Sequence, residues 1–311
     1  MRCLVTGATG FIGSHLARWL LRQGQSIAVL IRPGSDMWRI RDVLPATTVI
    51  HSDLWRVAEI ADQIHAFRPE VIFHLAWQGG NSSKFQNDPA QVFSNVLGSL
   101  TLVRLAKDAG VQRWIGFGTS AEYGRYDTPV SENQIPTPTT MYGRAKYSTC
   151  LLTEKLCEQY GIAFVWIRPF WLYGPYDDPG RMIPYVIAAF LRGEEPALTW
   201  GEQQWDYLYV TDVAEAIWKA IVTPKAQGVF NLGSGEAHTV RSIVEKIRDL
   251  IDPELLLGFG DVPYRPDQVM HLQADISRLK QATGWSPQVS LDQGLSSTVA
   301  WFKENRWRYE R

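Results

Sequence analysis

Gly7-Ala8-Thr9-Gly10-Phe11-Ile12-Gly13 follows an apolar segment, residues 2–6, at the start of a chain of 311 residues. The apolar segment predicts a short buried strand, and residues 14–22 have the periodicity of a helix. Strand, glycine turn and helix are the context in which a dinucleotide-binding loop occurs. Gly7 would allow a tight turn, Gly10 the close approach of a pyrophosphate, and Gly13 close packing of helix on strand. We therefore predict a phosphate-binding helix start, and a simple tight turn is the alternative.

Strand and helix patterns alternate from this turn to about residue 174. Six such strands predict an α/β fold, a Rossmann-type doubly wound parallel sheet. The rhythm changes after Gly174-Pro175, where short strands and helices follow without an internal repeat or a long linker. We expect a dinucleotide-binding domain over residues 1–174, to which residues 206–235 return. A smaller substrate-binding lobe would comprise residues 175–205 and 236–311.

The end of the second predicted strand bears on cofactor choice. An NAD-preferring fold places Asp or Glu there for the ribose 2′-hydroxyl, whereas this chain has Ile31 followed by Arg32. We expect Arg32 to bind a 2′-phosphate, so that NADP(H) is preferred and NAD(H) is possible; a solvated loop arginine is the alternative. Asp53 could accept a bond from the adenine amino group or merely cap the next helix. The predicted cofactor contacts are Gly7, Thr9, Gly10, Phe11, Ile12, Gly13, Arg32, Ser35, Asp53, Leu54, Leu75, Ala76, Tyr142, Lys146 and Pro169.

Tyr142 and Lys146 stand four residues apart at the start of a long predicted helix, so both lie on one face. A free phenol titrates near pH ~10, and a neighbouring ammonium would pull that pKa toward neutrality. The pair alone is weak support for a catalytic site, because it occurs on many surface helices. Thr119-Ser120 follows the fifth predicted strand, where a hydroxyl could bind a carbonyl oxygen while the tyrosine donates a proton.

The loop from Trp77 to Gln86 follows the fourth predicted strand. Ligands of open parallel sheets bind at the carboxyl ends of the strands, so this polar loop is a candidate substrate contact. Asn95 lies within the next predicted helix and is flanked by apolar residues. We expect its amide to point inward and to need a hydrogen-bonding partner.

Composition excludes several classes of protein. A net charge of -1 gives no general attraction for nucleic acid. Three cysteines without metal-type spacing indicate no metal site and a reducing compartment. Cys150 and Cys157 lie two turns apart on a predicted helix, and we expect them to be buried thiols. No apolar run reaches the ~18 residues of a membrane span, and the N-terminal residues do not look like a signal peptide. We therefore expect a cytoplasmic protein that does not associate with a membrane.

Taken together, these motifs resemble those of the extended short-chain dehydrogenase/reductase family of the NAD-dependent epimerase/dehydratase type, which acts on nucleotide sugars. The resemblance covers essentially the whole chain and is highly specific in spacing and order. The matching residues are Gly7-x-x-Gly10-x-x-Gly13, Asp53-Leu54, His74-Leu75-Ala76, Asn95, Thr119-Ser120, Tyr123-Gly124, Tyr142-x-x-x-Lys146, Arg168-Pro169 and Asp206-Tyr-Leu-Tyr-Val-x-Asp212.

The resemblance implies a role for each matching residue. Tyr142 would be the proton donor or acceptor, Lys146 would lower its pKa and hold the nicotinamide ribose, and Thr119 would supply the catalytic hydroxyl. Pro169 would lie beside the nicotinamide. A homodimer through the helices containing Leu102 and Leu152 is also implied. The expected substrate contacts are Trp77, Asn95, Ser120, Trp205 and Arg265, the last of which would hold the diphosphate.

Departures from the family pattern narrow the reaction. Dehydratases of this family follow the catalytic Thr with an Asp-Glu pair, whereas this chain has Ser120 and Ala121, so dehydration is not expected. Relatives often carry a phosphate-binding Arg where Trp205 stands here. Double epimerases use an extra Cys or Lys beside the tyrosine loop, and none is evident.

Three functions remain. The first is an NADPH-dependent reductase of the 4-keto group of a nucleotide-linked 4-keto-6-deoxyhexose, favoured by Arg32 and by a general likeness to nucleotide-sugar 4-ketoreductases. The second is a nucleotide-sugar 4-epimerase with tightly held NAD, for which the same three catalytic residues serve. The third is a non-catalytic NADP-sensing regulator, although such proteins usually lose the Tyr or the Lys.

Overall fold

The computed structural model describes residues 1–79, 85–266 and 268–309. The strands in this part of the chain are β1 (Arg2–Thr6), β2 (Ser26–Ile31), β3 (Thr48–His51), β4 (Val71–His74), β5 (Arg113–Phe117), β6 (Ala163–Pro169), β7 (Trp171–Tyr173), β8 (Ala197–Leu198), β9 (Gln204–Tyr209), β10 (Gly228–Leu232), β11 (Ala237–Thr239), β12 (Gly258–Phe259) and β13 (His271–Leu272). The α-helices are α1 (Phe11–Arg22), α2 (Ala61–Phe67), α3 (Leu97–Asp108), α4 (Met141–Tyr160), α5 (Met182–Leu191), α6 (Val210–Val222), α7 (Val240–Ile251), α8 (Ser277–Thr283) and α9 (Leu291–Glu304).

Seven of the described strands form a parallel central sheet in the order β10-β6-β5-β4-β1-β2-β3. The chain reverses direction across the sheet between β1 and β4, and such a switch point opens a crevice at the carboxyl ends of the strands. The predicted Rossmann-type doubly wound sheet is confirmed.

Both faces of the central sheet are buried. On β1, Cys3 and Val5 join the apolar cluster beneath α1 and α6, while Leu4 joins the cluster beneath α3 and α4. On β5, Ile115 packs in the first of these clusters and Trp114 in the second. Helices on both faces explain why these strands are continuous apolar runs instead of alternating ones.

A second sheet carries the other side of the candidate site. In the described chain β9 is central to this sheet, pairing with β7, β11 and β13, while β8 and β12 form a separate pair. β10 returns to the central sheet beside β6, and α6 packs on α1. We propose that the first sheet and its helices form the dinucleotide-binding domain, and that residues 175–205 and 236–311 form the smaller lobe.

Two local features differ from the ordinary form of their sequence pattern. The predicted helix that contains Asn95 is present, but residues 92–96 form a wider π-helical segment ahead of α3. Thr211-Asp212 is typical of a helix start, but α6 begins at Val210, and the Asp212 carboxylate accepts backbone N–H groups of Gln288 and Val289, each at 2.9 Å. This last contact joins distant parts of the chain, which the local pattern does not contain.

Candidate active site

The glycine turn between β1 and α1 has the backbone geometry that its sequence predicts. Gly7 has a φ of +75°, and a Cβ there would lie 2.7 Å from the backbone nitrogen of Ala76. A Cβ on Gly13 would lie 2.2 Å from the carbonyl oxygen of Gly7. No side chain caps α1, and its first turn has no acidic residue. The N–H groups at this helix start are therefore suited to an anion such as a pyrophosphate.

A cleft of about 290 Å³ opens beside the turn, at the carboxyl ends of β1, β2 and β4. Nine predicted cofactor residues line it among the described residues: Gly7, Thr9, Gly10, Arg32, Ser35, Asp53, Leu54, Leu75 and Ala76. The lining also includes Trp77, Gln78 and Gly79, from the loop predicted to contact substrate, and two residues that the sequence does not single out, Leu30 and Ser52. Phe11, Ile12 and Gly13 lie in the first turn of α1. The glycine turn and this lining fit a dinucleotide.

The adenosine end of the cleft contains both a cation and an acid. Arg32 and Ser35 follow β2, and Asp53 follows β3. The alternative interpretation of Asp53 as a helix cap is wrong, because its side chain makes no capping hydrogen bond. Asp36 is engaged elsewhere, since its carboxylate accepts the Trp38 N–H and pairs with Arg308.

A buried hydrogen-bond chain runs beneath the cleft. Thr6 Oγ1 accepts the Ala76 N–H at 3.1 Å and lies 2.9 Å from His74 Nδ1, while His74 Nε2 lies 2.7 Å from Ser99 Oγ. Ser99 donates to the Asn95 carbonyl at 2.7 Å. These partners assign the proton to Nε2 of a neutral imidazole. Burial, followed by the charge of Lys146, lowers the pKa of His74 to about 3, which agrees with the neutral form.

Asn95 points inward and has partners, as predicted. Its Oδ1 accepts the Gln78 N–H at 2.7 Å, and its Nδ2 donates to the Gln78 carbonyl at 3.0 Å and to Gln91 Oε1 at 3.1 Å. Gln91 Oε1 also accepts from Trp77 Nε1. Asn95 therefore fixes the start of the loop after β4, and its contact with a sugar stays a prediction. Residues 80–84 of the predicted substrate loop lie outside the described residues.

The three predicted catalytic residues come together beside Trp77. Tyr142 and Lys146 lie in the first turns of α4, and Thr119 follows β5. The Lys146 ammonium donates to the Phe117 carbonyl at 2.7 Å and lies 3.9 Å from the centre of the Trp77 ring. Trp77 also lines the cofactor cleft, so the cleft and the catalytic residues are adjacent at this side chain.

The electrostatics of Tyr142 differ from the prediction that Lys146 lowers its pKa. Burial raises the pKa of the Tyr142 phenol to about 12, opposed by hydrogen bonding from the Thr119 side chain. Burial also lowers the pKa of Lys146 to about 7. Both side chains are buried, which their spacing does not reveal, and desolvation disfavours the charged form of each.

A buried ion pair lies under Thr119 and was not identified from the sequence. Arg168 Nε donates to Glu122 Oε2 at 2.7 Å, and both side chains are almost completely buried. Thr119-x-x-Glu122 is also a capping box, and that spacing is the signal that could have revealed it. Burial raises the pKa of Glu122, while Arg168 opposes the rise.

The predicted substrate residues are dispersed. Ser120 is partly exposed in the turn after Thr119, and Arg265 is exposed in the loop before β13. Pro169, predicted as a cofactor contact beside the nicotinamide, ends β6. Trp205 stacks on Trp171 with ring centres 4.5 Å apart and donates its indole N–H to the Val269 carbonyl.

Arg181 is a substrate candidate that the sequence analysis missed. Its guanidinium lies 5.0 Å from the centre of the Trp171 ring and 3.2 Å from Asp177 Oδ1, and its side chain is 31% exposed. Its charge acts to lower the pKa of Tyr142, although burial dominates that pKa. No motif signals this residue, because only folding brings β7 and the start of α5 together.

Two further predictions concern metals and cysteines. Among the residues that the structure describes, no three His, Cys, Asp or Glu side chains are placed to hold a metal ion. Cys150 and Cys157 are buried free thiols, as predicted, and so is Cys3; burial raises the pKa of each. A search of the described helices finds none with the length and apolar character of a membrane span.

Comparisons with known proteins agree with this geometry. Residues 3–233 match the model of the NAD dependent epimerase/dehydratase family. UDP-glucuronate 4-epimerase from Thermodesulfobacterium geofontis is 27% identical, over 97% of this chain and 96% of its own. The structure of UDP-glucose 4-epimerase from Thermotoga maritima with UDP-glucose is 30% identical, with a TM-score of 0.90 over 98% of this chain and 100% of that chain. The structure of dTDP-glucose 4,6-dehydratase from Streptomyces venezuelae with NAD bound is 26% identical, with a TM-score of 0.90 over 100% of this chain and 99% of that chain.

Proposed function

Since this chain belongs to the NAD-dependent epimerase/dehydratase family, we propose that it is a nucleotide-sugar 4-epimerase that works with NAD. It is an enzyme of the extended short-chain dehydrogenase/reductase family acting on nucleotide sugars, and its relatives are mainly 4-epimerases and 4,6-dehydratases. The placement of Thr119, Tyr142 and Lys146 near the cofactor cleft supports proton and hydride transfer at a sugar carbon. The choice of 4-epimerisation is carried by the 4-epimerases among the relatives and by the NAD that solved relatives bind. Ser120 and Ala121, where dehydratases have acids, argue against elimination of water.

The residues of the site have distinct tasks in this reaction. A bound nicotinamide supplies the hydride acceptor and donor. Tyr142 would take the proton of the sugar 4-hydroxyl as a phenolate when that carbon is oxidised, and would return it as a phenol when the carbon is reduced on its opposite face. Thr119 would hold the reacting oxygen next to Tyr142. Lys146 would help to hold the nicotinamide ribose, because its ammonium lies at the Trp77 border of the cleft.

A 4-ketoreductase that uses NADPH is the second candidate. Arg32 supports it, because this residue lines the cofactor cleft after β2 and could pair with a 2′-phosphate. Solved relatives carry NAD, which favours the epimerase. The two candidates share the catalytic residues and differ in whether the cofactor is consumed in each turnover.

The deciding experiment follows the cofactor. Purified protein is denatured and assayed for released NAD, and the native protein is incubated with UDP-glucose and UDP-glucuronate while the 4-epimers are separated by chromatography. Co-purifying NAD and epimer formation without net change in reduced-nicotinamide absorbance are expected. Stoichiometric loss of NADPH with a dTDP-, CDP- or GDP-linked 4-keto-6-deoxyhexose would instead establish the reductase.

Arg32→Asp tests the cofactor separately. If Arg32 binds a 2′-phosphate, this change raises the Kd for NADPH about 10-fold or more and leaves the Kd for NADH nearly unchanged. The difference in binding free energy is roughly 1.4 kcal/mol. Equal effects on both Kd values would refute the NADP interpretation, and Arg22→Asp, on the last turn of α1, is the control.

We also propose a homodimer through α3 and α4. Leu102 is buried in the protein's own core, but Phe93, Leu97, Leu151 and Leu152 are exposed on these helices and the segment before α3. Exposed apolar residues of this kind mark protein–protein contacts. Sedimentation of wild type and Leu152→Glu tests the proposal, and a monomeric wild type would contradict it.

A further inference from the structure

Glu122 lies at the centre of a fully satisfied, dry group of donors. Its Oε1 accepts the Thr119 N–H at 2.9 Å and the Trp166 indole N–H at 3.1 Å, and its Oε2 accepts Arg168 Nε at 2.7 Å. Glu122 is 0% exposed and Arg168 3%. A buried carboxylate is costly unless its charge and hydrogen bonds are compensated, and here both conditions are met.

The backbone of β5 is shaped to admit this carboxylate. A Cβ on Gly118 would lie 2.1 Å from Glu122 Oε1 and 2.3 Å from Trp166 Nε1. A Cβ on Gly116 would lie 2.3 Å from the Trp166 ring. The two glycines therefore let Trp166 and Glu122 pass directly under the strand that delivers Thr119 to the site.

Arg168, like Glu122, is fixed by buried contacts. Its guanidinium lies 4.5 Å from the centre of the Tyr123 ring and 5.8 Å from that of Tyr147. Burial lowers the pKa of Arg168, but Glu122 and Tyr123 outweigh burial and the net pKa is raised. The pair is therefore held rigidly by buried contacts, and neither residue is part of the described lining of the cofactor cleft.

Thr119 is the link between this pair and the reacting tyrosine. Glu122 fixes the Thr119 backbone N–H, and Thr119 Oγ1 accepts the Ala121 N–H at 3.2 Å. The turn that carries Thr119 packs on the start of α4, because a Cβ on Gly143, next to Tyr142, would lie 2.6 Å from the Ala121 carbonyl oxygen. The Thr119 side chain acts to lower the pKa of the Tyr142 phenol, as expected of neighbouring groups. We propose that Glu122 is a positioning residue: its buried carboxylate, neutralised by Arg168, fixes the Thr119 backbone so that the Thr119 hydroxyl meets the Tyr142 phenol. The catalytic consequence rests on the proposed function, whereas the positioning itself does not.

Two paired variants isolate the hydrogen bond from the charge. Glu122→Gln/Arg168→Met keeps an oxygen that can accept the Thr119 N–H, while Glu122→Leu/Arg168→Met does not, and both lack the ion pair. Relative to the Gln variant, the Leu variant should lose about 10- to 100-fold in kcat, with KM and the Kd for NAD within about 3-fold. Adding Thr119→Ala to both should reduce the difference in kcat to less than about 2-fold, because the positioned hydroxyl is then gone.

A structural role alone would give another pattern. If Glu122 only stabilised the fold, kcat of the Leu variant would be lower than that of the Gln variant by the same factor with and without Thr119→Ala. That result would overturn the proposal. Equal kcat in the Gln and Leu variants would also overturn it.

A readout without turnover keeps this inference separate from the proposed function. In protein labelled with ¹⁵N-threonine, assigned with Thr119→Ala, the Thr119 amide should exchange slowly in wild type and in Glu122→Gln/Arg168→Met. It should exchange at least about 10-fold faster in Glu122→Leu/Arg168→Met. If the Leu variant does not fold, Glu122→Ala/Arg168→Met takes its place. Equal protection in all variants refutes the positioning role, whereas absence of any epimerase or reductase turnover in wild type refutes only the proposed function.

Discussion

The cofactor side and the catalytic side of the site are built in different ways. On the cofactor side, the glycine turn presents backbone N–H groups, and its geometry depends on the absence of side chains at Gly7 and Gly13. On the catalytic side, Thr119, Tyr142 and Lys146 come from two elements, and their ionisable groups are buried. Binding of the cofactor therefore depends mainly on backbone shape, while reactivity depends on charges in a dry environment.

The largest expected effect is that of Tyr142→Phe, which should change catalysis and leave cofactor binding nearly unchanged. Tyr142→Phe removes the proton donor and acceptor but keeps the buried ring, so kcat should fall about 10²- to 10⁴-fold. The Kd for NAD, measured by fluorescence titration, should change less than about 3-fold, because the glycine turn is untouched. Tyr126→Phe, on a partly exposed loop tyrosine whose hydroxyl donates to the Ile135 carbonyl, is the control. A Tyr142→Phe enzyme that keeps the wild-type rate would remove the basis of the catalytic assignment.

The same division explains how much could be predicted from the sequence. The doubly wound parallel sheet, the glycine turn and most of the cofactor cleft follow from local patterns, because backbone geometry restricts which residues fit there. The Glu122–Arg168 pair joins residues 46 positions apart, and Arg181 reaches Trp171 from another element. Such contacts exist only after folding. The pKa of Tyr142 was predicted with the wrong direction for the same reason, since spacing gives proximity but not burial.

His74 lies in the hydrogen-bond chain beneath the cofactor side, and its titration gives a prediction of intermediate size. Its folded pKa of about 3 lies below the ordinary value of 6.5, so the stabilisation is complete above pH ~6.5 and is lost as the pH falls. Between pH 7 and 5 the free energy of unfolding should fall by about 2 kcal/mol more in wild type than in His74→Asn. Urea denaturation at each pH measures this difference. His65→Asn, exposed on α2, should behave like wild type, and identical pH dependence in all three proteins would contradict the prediction.

Arg181→Met gives the smallest expected effect and sharpens the comparison on the substrate side. The guanidinium lies over Trp171, is partly exposed, and is close enough for its charge to act on Tyr142. A nucleotide sugar carries a diphosphate, so loss of this cation should raise KM about 10-fold, or roughly 1.4 kcal/mol, with kcat changed less. Met keeps the apolar stem over the indole ring. Arg248→Met, which removes an arginine of similar exposure paired with Asp249, is the matched control. If Arg181→Met instead weakened NAD binding and left KM unchanged, Arg181 would belong to the cofactor side. The cofactor side would then depend on a side-chain charge as well as on backbone shape, contrary to the comparison made above.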